Sequence, residues 1–211
     1  MINHKPSFAE EKLLRASGYK FIAGVDEVGR GALMGPVLAA AVILPYNFQA
    51  RWKSRVRDSK QLTPAAREYL FDFIRDVAVS VGIGASSNDV IDSVGIAKAT
   101  RLAMIAAIEQ LKPQPQFLLI DYIRLSETSL PQKGITHGDS LCFSIACASI
   151  IAKVTRDRLV TEMDRDFPGY GFAGHKGYGT REHIECLREK GPCRLHRRSF
   201  SPVTEIVGLE S

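Results

Sequence analysis

The chain has 211 residues, of which 45% are hydrophobic and 24% are charged, and its 28 basic residues exceed its 23 acidic residues by five. These proportions are typical of a globular protein and exclude a disordered chain, a collagen-like repeat and a coiled coil. The length predicts one large domain, or one domain with a small appendage. The slight basic excess only weakly favours a polyanionic partner such as nucleic acid.

The cysteines and the apolar runs exclude further classes of protein. The four cysteines include no C-x-x-C pair, so we predict free thiols in a reducing cytoplasm rather than a zinc site or disulfides. The amino terminus has no apolar signal core, and the longest apolar run, around 37–45, is too short to cross a membrane. We therefore expect a soluble, cytoplasmic protein.

In chain order, the sequence begins with a helix and two strands. Residues 1–19 are charged and mildly amphipathic, which predicts a short leading helix. An apolar strand is predicted at 21–25, and a glycine-rich turn leads from it to a second apolar strand at 37–44. Because a glycine turn joins the two strands, we expect them to pair antiparallel.

The middle of the chain alternates helices with strands. A helix is predicted over 64–76, where threonine and proline form a typical helix start, and a strand over 77–86. Apolar residues at helical spacing predict a helix over 88–111, interrupted at Gly95. A fourth strand, of the buried type, is predicted at 117–123.

The last part of the chain is predicted to be mainly helical. After a polar loop at 126–136, we expect a long helix over 142–167 and a final amphipathic helix over 180–190. The element order predicts an α/β domain with a mixed sheet. We divide it into the leader, a core at 20–167 and a small carboxy-terminal region at 168–211.

Acidic residues stand where three of these elements begin or end. Asp26 and Glu27 follow the first strand, Asp121 interrupts the apolar run of the fourth, and Asp139 directly precedes the long helix. Each also has a structural explanation, because a solvated strand end or a helix N-cap favours an acid. Adjacent strand residues point to opposite faces, so Asp26 and Glu27 can serve one site only if the strand ends there.

Taken together, these four acids indicate metal-dependent chemistry. Hard divalent cations prefer carboxylate and water oxygens. Two such ions can support an in-line phosphoryl transfer, one activating the attacking water and the other stabilising the leaving oxygen. The sequence has no serine-hydrolase, zinc-protease or P-loop motif that would compete with this interpretation.

The same acids lie within a set of motifs that resembles one known family. The motifs are Asp26-Glu27-Val28-Gly29-Arg30-Gly31 with Gly35-Pro36-Val37, Asp58-Ser59-Lys60-Gln61-Leu62, Gly138-Asp139-Ser140, and His175-Lys176-Gly177-Tyr178-Gly179-Thr180. They follow the order found in ribonuclease HII, the type 2 ribonuclease H family, over about residues 20–203. The ordered set is much more specific than any one motif.

The resemblance implies a ribonuclease H-like fold, in which helices flank a mixed sheet and a small helical carboxy-terminal region binds substrate. It implies an endoribonuclease that hydrolyses the RNA strand of RNA–DNA hybrids and nicks 5′ to single ribonucleotides embedded in duplex DNA. The products would carry 5′-phosphate and 3′-hydroxyl ends. The implied partners are the hybrid and the ribonucleotide-containing duplex, with no membrane, and the protein is expected to act as a monomer.

The resemblance also implies the roles of individual residues. The family's catalytic, metal-binding acids are matched by Asp26, Glu27, Asp121 and Asp139. Its substrate-binding positions are matched by Gly29, Arg30, Gly31, Lys60 and Tyr178. The implied cofactor is Mg²⁺ or Mn²⁺, with two ions when substrate is bound. The glycine loop and the tyrosine would contact the ribose 2′-hydroxyl, the group that distinguishes RNA from DNA, and the lysine a phosphate.

Some residues depart from the family pattern or have more than one interpretation. Tyr122 stands where glycine commonly follows the third acid, and His137 where lysine often precedes the fourth. Arg194, Arg197 and Arg198 form a basic cluster that either meets the duplex backbone or is a solvated tail. Two other functions stay open: another nuclease on this fold, such as a resolvase or exonuclease, or a non-catalytic nucleic-acid-binding module.

Overall fold

A computed structural model describes residues 5–209, which form a five-stranded sheet covered by helices on both faces. The strands are β1 (Ile22–Val28), β2 (Val37–Ile43), β3 (Ser80–Ser86), β4 (Phe117–Asp121) and β5 (Gln132–Ile135). The helices are α1 (Ala9–Ala16), α2 (Pro64–Val77), α3 (Asn88–Val94), α4 (Ile96–Glu109), α5 (Gly138–Leu141), α6 (Phe143–Asp166), α7 (Phe172–His175), α8 (Arg181–Lys190) and α9 (Val203–Leu209). The leading helix predicted over 1–19 is observed as α1, and its first four residues lie outside the described range.

The sheet is mixed, as the sequence predicts, with the strand order β3-β2-β1-β4-β5. β1 pairs antiparallel with β2, which confirms the expected hairpin, and β2 pairs antiparallel with β3. β1 pairs parallel with β4, and β4 pairs parallel with β5. The carboxyl ends of the parallel strands therefore lie at the same end of the sheet, and the acids of β1 and β4 lie there.

The core lies on both sides of β2, whose seven residues are all buried. Leu38, Ala40 and Val42 pack on the α6 side, whereas alternate residues of the strand pack on the α4 side. A strand covered on both faces has no polar face, which explains its continuous apolar sequence. Burial of each Val, Leu or Ile side chain stabilises the fold by roughly 1.5–3 kcal/mol.

Three differences from the sequence predictions have local causes. β1 continues to Val28 instead of ending at residue 25, because it pairs with β2 as far as Leu38. β4 ends at Asp121 instead of 123, because Tyr122 adopts a left-handed backbone with φ 61° that cannot continue a strand. β5 lies within the predicted loop at 126–136, and its polar residues give no apolar alternation to reveal it.

The predicted helices are all present, but the helix predicted over 180–190 is not the last one, because α9 follows it, and the short helix α7 was not predicted. Pro64 begins α2, and the hydroxyl of Thr63 accepts a backbone hydrogen bond of 3.2 Å in its first turn. Gly95, with φ 78°, separates α3 from α4. The short helix α5 precedes α6, so Asp139 lies inside a helical turn and is not the N-cap of the long helix.

The carboxy-terminal residues pack over the loop at 29–36 that joins β1 to β2. The backbone N–H of Leu33 donates to the Gly177 carbonyl at 2.8 Å, and the N–H of Gly35 donates to the Leu195 carbonyl at 2.9 Å. The glycine-rich loop is therefore held between the sheet and the last helices. Across residues 5–209, none of the helices has the length and apolarity needed to cross a bilayer.

Candidate active site

A cleft of about 410 Å³ lies at the end of the sheet where β1 and β4 finish. Seven of the nine site residues predicted from the sequence line it: Asp26, Glu27, Gly29, Arg30, Lys60, Asp121 and Tyr178. The other two are adjacent: Gly31 belongs to the same loop, and Asp139 contacts the Lys60 side chain. The Lys60 Nζ atom lies 3.6 Å from Asp139 Oδ2. The structure thus brings together residues that are far apart in the sequence.

Asp26 and Glu27 reach this cleft although the strand does not end before them. The parallel pairing of β1 with β4 stops at Val25, so beyond that residue one edge of β1 is open. Asp26 lies on the α6 face, on the same side as Ala40, and Glu27 lies on the opposite face. The expectation that the strand must end was therefore wrong, because both faces of an open strand end border one cleft.

The carboxyl groups on β1 are unusually hard to ionise. Burial raises the pKa of Asp26 well above its usual value, and the charges of Glu27 and Asp121 raise it further. Burial also raises the pKa of Glu27, the Arg30 guanidinium opposes this rise, and Asp121 adds to it. A bound cation would relieve this repulsion, so the group of acids favours cation binding.

The other two acids are connected through the backbone. Asp121 Oδ1 accepts a hydrogen bond of 2.7 Å from the backbone N–H of Gly138, which ties the end of β4 to α5. Asp139 follows in α5 and is 5% exposed. Burial raises its pKa, as do the charges of Asp58 and Asp121. The hydrogen bond to Gly138 therefore sets the spacing between these two carboxylates.

Lys60 supplies the countercharge next to these acids. Its backbone N–H donates to Asp58 Oδ1 at 2.9 Å, which fixes the turn that carries it. Partial burial lowers the pKa of the Lys60 amine, but the carboxylates of Asp139 and Asp58 outweigh this and raise it. Its side chain is 81% exposed, so the amine can leave Asp139 at little cost.

The donor set of the cleft fits a divalent cation. Glu27 Oε2 is buried and has no hydrogen-bond partner among the described residues, so it is available as a ligand. Within residues 5–209, no three His, Cys, Asp or Glu side chains are arranged to hold a metal ion as they stand. Mg²⁺ commonly binds one or two carboxylates, and water and substrate phosphate complete its shell. These acids suit such partial ligation.

The glycine loop and Tyr178 form the other wall of the cleft. Gly29 has φ 88°, and a Cβ atom there would lie 2.2 Å from Arg156 Nε. A Cβ atom at Gly31 would meet no heavy atom within 4 Å, so open space lies above this residue. The Tyr178 ring lies 5.5 Å from both the Arg156 Cζ and the Lys153 Nζ atoms. The loop therefore offers exposed backbone beside an aromatic hydroxyl.

Arg156 supports this wall, and the sequence analysis missed it. The residue is fully buried in α6 and donates to the carbonyls of Met34 and Pro36 at 3.1 Å and of Lys176 at 2.9 Å. It thereby joins the glycine loop to the segment that carries Tyr178. Its position four residues after Ala152, on the apolar face of the predicted helix, is the signal that could have revealed it.

Arg197 corrects one sequence prediction. It was placed in a basic cluster that meets the duplex or the solvent, but it is fully buried. Its guanidinium donates to the carbonyls of Gly35 and Arg30 at 3.0 and 2.9 Å. Burial lowers its pKa, and the nearby charge of Arg156 lowers it further. The cluster is thus reduced to Arg194 and Arg198 on the surface.

Three polar residues of the cleft were also missed as site residues. Ser149 and Ser59 are buried and their hydroxyl oxygens lie 2.9 Å apart, which links α6 to the turn that carries Lys60. Lys153 borders the cleft and forms a 2.8 Å ion pair with Asp157. A serine and a lysine inside the apolar run at 145–154 were the available signals.

Solved structures identify the class of protein. A ribonuclease H2 from Pyrococcus horikoshii matches this chain with a TM-score of 0.75 at 25% identity, covering 90% of this chain and 98% of that one. Bst-RNase HIII, solved in complex with Mn²⁺, shares the fold with a TM-score of 0.66 at 19% identity, covering 90% and 70%. The fold and its acidic cleft are those of a metal-dependent, hydrolytic endoribonuclease of the ribonuclease H type.

Sequence comparisons identify the family. The family model for ribonuclease HII matches residues 23–203. The ribonuclease HII of Dehalococcoides mccartyi is 57% identical over 202 residues, which are 96% of this chain and 95% of that protein. The chain belongs to the ribonuclease HII family, and the resemblance in its motifs is confirmed.

Proposed function

We propose that this protein hydrolyses the RNA strand of RNA–DNA hybrids and nicks 5′ to single ribonucleotides in duplex DNA. Cleavage would use two metal ions and leave 5′-phosphate and 3′-hydroxyl ends. The observation that carries the proposal is the position of three acids, Asp26, Glu27 and Asp121, in one cleft beside the open backbone of the glycine loop. The acids can bind the metal ions that promote phosphodiester hydrolysis, and the exposed loop can contact the 2′-hydroxyl next to that phosphodiester.

The proposed catalytic, metal-binding acids are Asp26, Glu27 and Asp121 in the cleft and Asp139 beside it, with Mg²⁺ or Mn²⁺ as the cofactor. When bound, the ions supply the positive charge that activates water and stabilises the leaving oxygen. The backbone N–H of Glu27 donates to Asp26 Oδ1 at 2.8 Å and that of Gly138 donates to Asp121 Oδ1 at 2.7 Å, so both carboxylates are positioned before substrate arrives. The Mn²⁺ complex of Bst-RNase HIII supports the type of ion. Lys60 is proposed to leave Asp139 and contact a phosphate.

The loop and Tyr178 are proposed to select RNA. The backbone of Gly29, Arg30 and Gly31 and the phenol of Tyr178 would contact the ribose 2′-hydroxyl at the cleavage position. Arg156 supports both elements, because it binds carbonyls of both segments. A 2′-hydroxyl that fits between them would hold the adjacent phosphate over the acids.

We also propose how the rest of the chain takes part. The region from residue 168 onwards would bind the duplex beside the cleft, and the protein would act as a monomer. The four cysteines are free thiols, two of them buried, which supports a site of action in the reducing cytoplasm.

Asp121→Asn tests the proposed function. Loss of a charged ligand should lower cleavage of an RNA–DNA hybrid more than about a hundredfold, because even outer partners of metal ligands contribute 10–100-fold. The matched control is Asp76→Asn, an exposed acid at the end of α2, which should cleave like the wild type. Melting temperatures establish that both variants fold.

The substrates in this assay separate the alternatives. A hybrid, a DNA duplex with one ribonucleotide, an all-DNA duplex and a DNA four-way junction are compared with and without Mg²⁺. Cleavage of the first two alone supports the proposal. Cleavage of the junction would identify a resolvase, and metal-independent binding without cleavage would identify a non-catalytic module.

A further inference from the structure

A second hollow adjoins the candidate cleft on the α4 side of the sheet. Its volume is about 280 Å³, and three arginines of the described chain line it: Arg30, Arg101 and Arg124. Arg30 also lines the candidate cleft, so the two hollows share a wall. The remaining lining residues carry no charge.

The three arginines come from separate parts of the chain. Arg30 follows β1, Arg101 lies in α4, and Arg124 lies three residues beyond Asp121 at the end of β4. Like charges that gather in one hollow repel one another, and of the three only Arg30 and Arg101 have a carboxylate partner among the described residues, so an anion in the hollow would stabilise the arrangement. Strand β4 ends at Asp121, a proposed catalytic acid, and the segment that follows it contributes Arg124 to the cationic hollow.

The guanidinium groups are available to a ligand. Arg124 is exposed and has no hydrogen-bond or ion-pair partner within residues 5–209. Arg101 Nε lies 2.6 Å from Glu127 Oε1, and Arg30 Nη1 lies 3.4 Å from Glu27 Oε1. These side chains are partly exposed, and ion pairs of that kind contribute little and exchange partners readily.

We propose that this hollow binds a backbone phosphate of the nucleic-acid duplex, next to the phosphate that is cleaved. The inference rests on the proposed function, because it requires a nucleic-acid substrate in the adjoining cleft. Guanidinium groups match phosphate oxygens with paired N–H donors, whereas an apolar or cationic ligand would find no favourable contact among three arginines. A phosphate contact fixes the position of the duplex over the acids without reading its sequence.

The double variant Arg101→Gln/Arg124→Gln tests this site by equilibrium binding. Fluorescence anisotropy measures the affinity for an RNA–DNA hybrid in EDTA, at several concentrations between about 50 and 200 mM salt. Loss of one phosphate contact should reduce the slope of log affinity against log salt by about 0.9 and weaken binding roughly tenfold. In cleavage assays, loss of this phosphate contact should raise KM and should change kcat less than it changes KM.

Two matched variants distinguish the site from general charge effects. Glu127→Gln releases Arg101 and removes a charge that repels phosphate, so affinity should increase about twofold. Arg51→Gln removes an exposed arginine from the segment between β2 and α2, and its affinity should equal that of the wild type. Melting temperatures within error of the wild type show that the substitutions act at the surface.

The outcomes separate this inference from the proposed function. An unchanged affinity and salt slope in the double variant overturns the phosphate site, as does weaker binding by Glu127→Gln. The proposed function is tested independently, by wild-type cleavage of the hybrid with Mg²⁺. If the wild type does not cleave, that function fails whatever the binding data show.

Discussion

Gly29 and Gly31 flank the same arginine, but glycine is needed at the two positions for different reasons. At Gly29 the backbone has φ 88°, and an added Cβ would collide with the buried Arg156 side chain. At Gly31 an added Cβ would meet no other heavy atom of the described chain within 4 Å, and the backbone is not left-handed. We infer that the fold requires the first glycine and that the bound substrate requires the second.

Alanine substitutions distinguish the two roles. Gly29→Ala should lower the free energy of unfolding by about 2 kcal/mol, because it adds backbone strain and a clash. Gly31→Ala should change that free energy by less than about 0.5 kcal/mol, since it touches nothing. It should nevertheless impair cleavage, because the methyl group stands where substrate backbone would approach. Urea denaturation and hybrid cleavage measure the two effects, and normal activity of Gly31→Ala would contradict the assignment.

At the scale of single residues, the sequence predicts the acids of the candidate site better than the buried arginines that support the site. An acid inside an apolar run, such as Asp121, is conspicuous because burying it is costly without a partner. The supporting roles of Arg156 and Arg197 are harder to predict, because arginine is usually exposed and a sequence does not show that backbone carbonyls surround it. The acids proposed to bind metal and substrate are thus more visible in a sequence than the residues that support them.

At the scale of elements, α1 is an integral part of the fold. Its Glu11 is 4% exposed, and Oε1 accepts hydrogen bonds from the Ser144 N–H at 2.8 Å and from the Cys142 thiol at 3.3 Å. The N-cap of α6, Cys142, makes no side-chain capping bond of its own. Glu11 therefore caps the 24-residue helix that carries Ser149 and Arg156 to the site.

Glu11→Ala should destabilise the protein by about 1–3 kcal/mol, because it leaves buried donors at the start of α6 without an acceptor. The control is Glu10→Ala on the same helix, which loses only a partly exposed ion pair with Lys133 and should cost less than about 1 kcal/mol. Denaturant midpoints give the comparison. Equal effects of the two substitutions would show that Glu11 does not act as a cap.

The elements themselves differ in how far the sequence reveals them. The helix α2 has both a threonine cap and a proline at its first position, so its start could be predicted to the residue. The sequence of the edge strand β5 has no apolar alternation that would indicate a strand. Its extended backbone is stabilised by hydrogen bonds to β4. Contacts with distant chain segments create such elements, and local patterns cannot indicate them.

At the scale of the whole molecule, a chain of hydrogen bonds runs through buried histidines to the backbone of Tyr178. The Cys193 N–H donates to His196 Nδ1 at 2.9 Å, and the Nε2 atoms of His196 and His183 lie 3.1 Å apart. His183 Nδ1 lies 2.9 Å from the Tyr178 carbonyl oxygen. We assign both rings as neutral, with His196 donating to His183 and His183 donating to the carbonyl. Burial lowers the pKa of each to about 4.

Acid should destabilise the protein through these histidines. An unfolded histidine has a pKa near 6.5, so their stabilisation is complete above that pH and is lost as pH falls toward 4. At pH 5 the loss amounts to about 2 kcal/mol per histidine. Urea denaturation at pH 7 and pH 5 should therefore show a smaller loss for His196→Gln than for the wild type. The acidic residues of the cleft are the same in both proteins, so an equal loss would contradict the assignment.

The contacts between the loop at 29–36 and the last helices run mostly through main-chain atoms. Leu33 and Gly35 donate from their backbone N–H groups, and Arg197 is bound by backbone carbonyls. A backbone hydrogen bond needs no particular side chain, so the bonds at Leu33 and Leu195 would survive substitution of either leucine. The left-handed positions Gly29, Gly35 and Gly177 are exceptions, because they favour glycine. Inserting or deleting one residue in the loop would shift every later donor and acceptor by one position, so the length of this loop is more tightly constrained than its non-glycine residues.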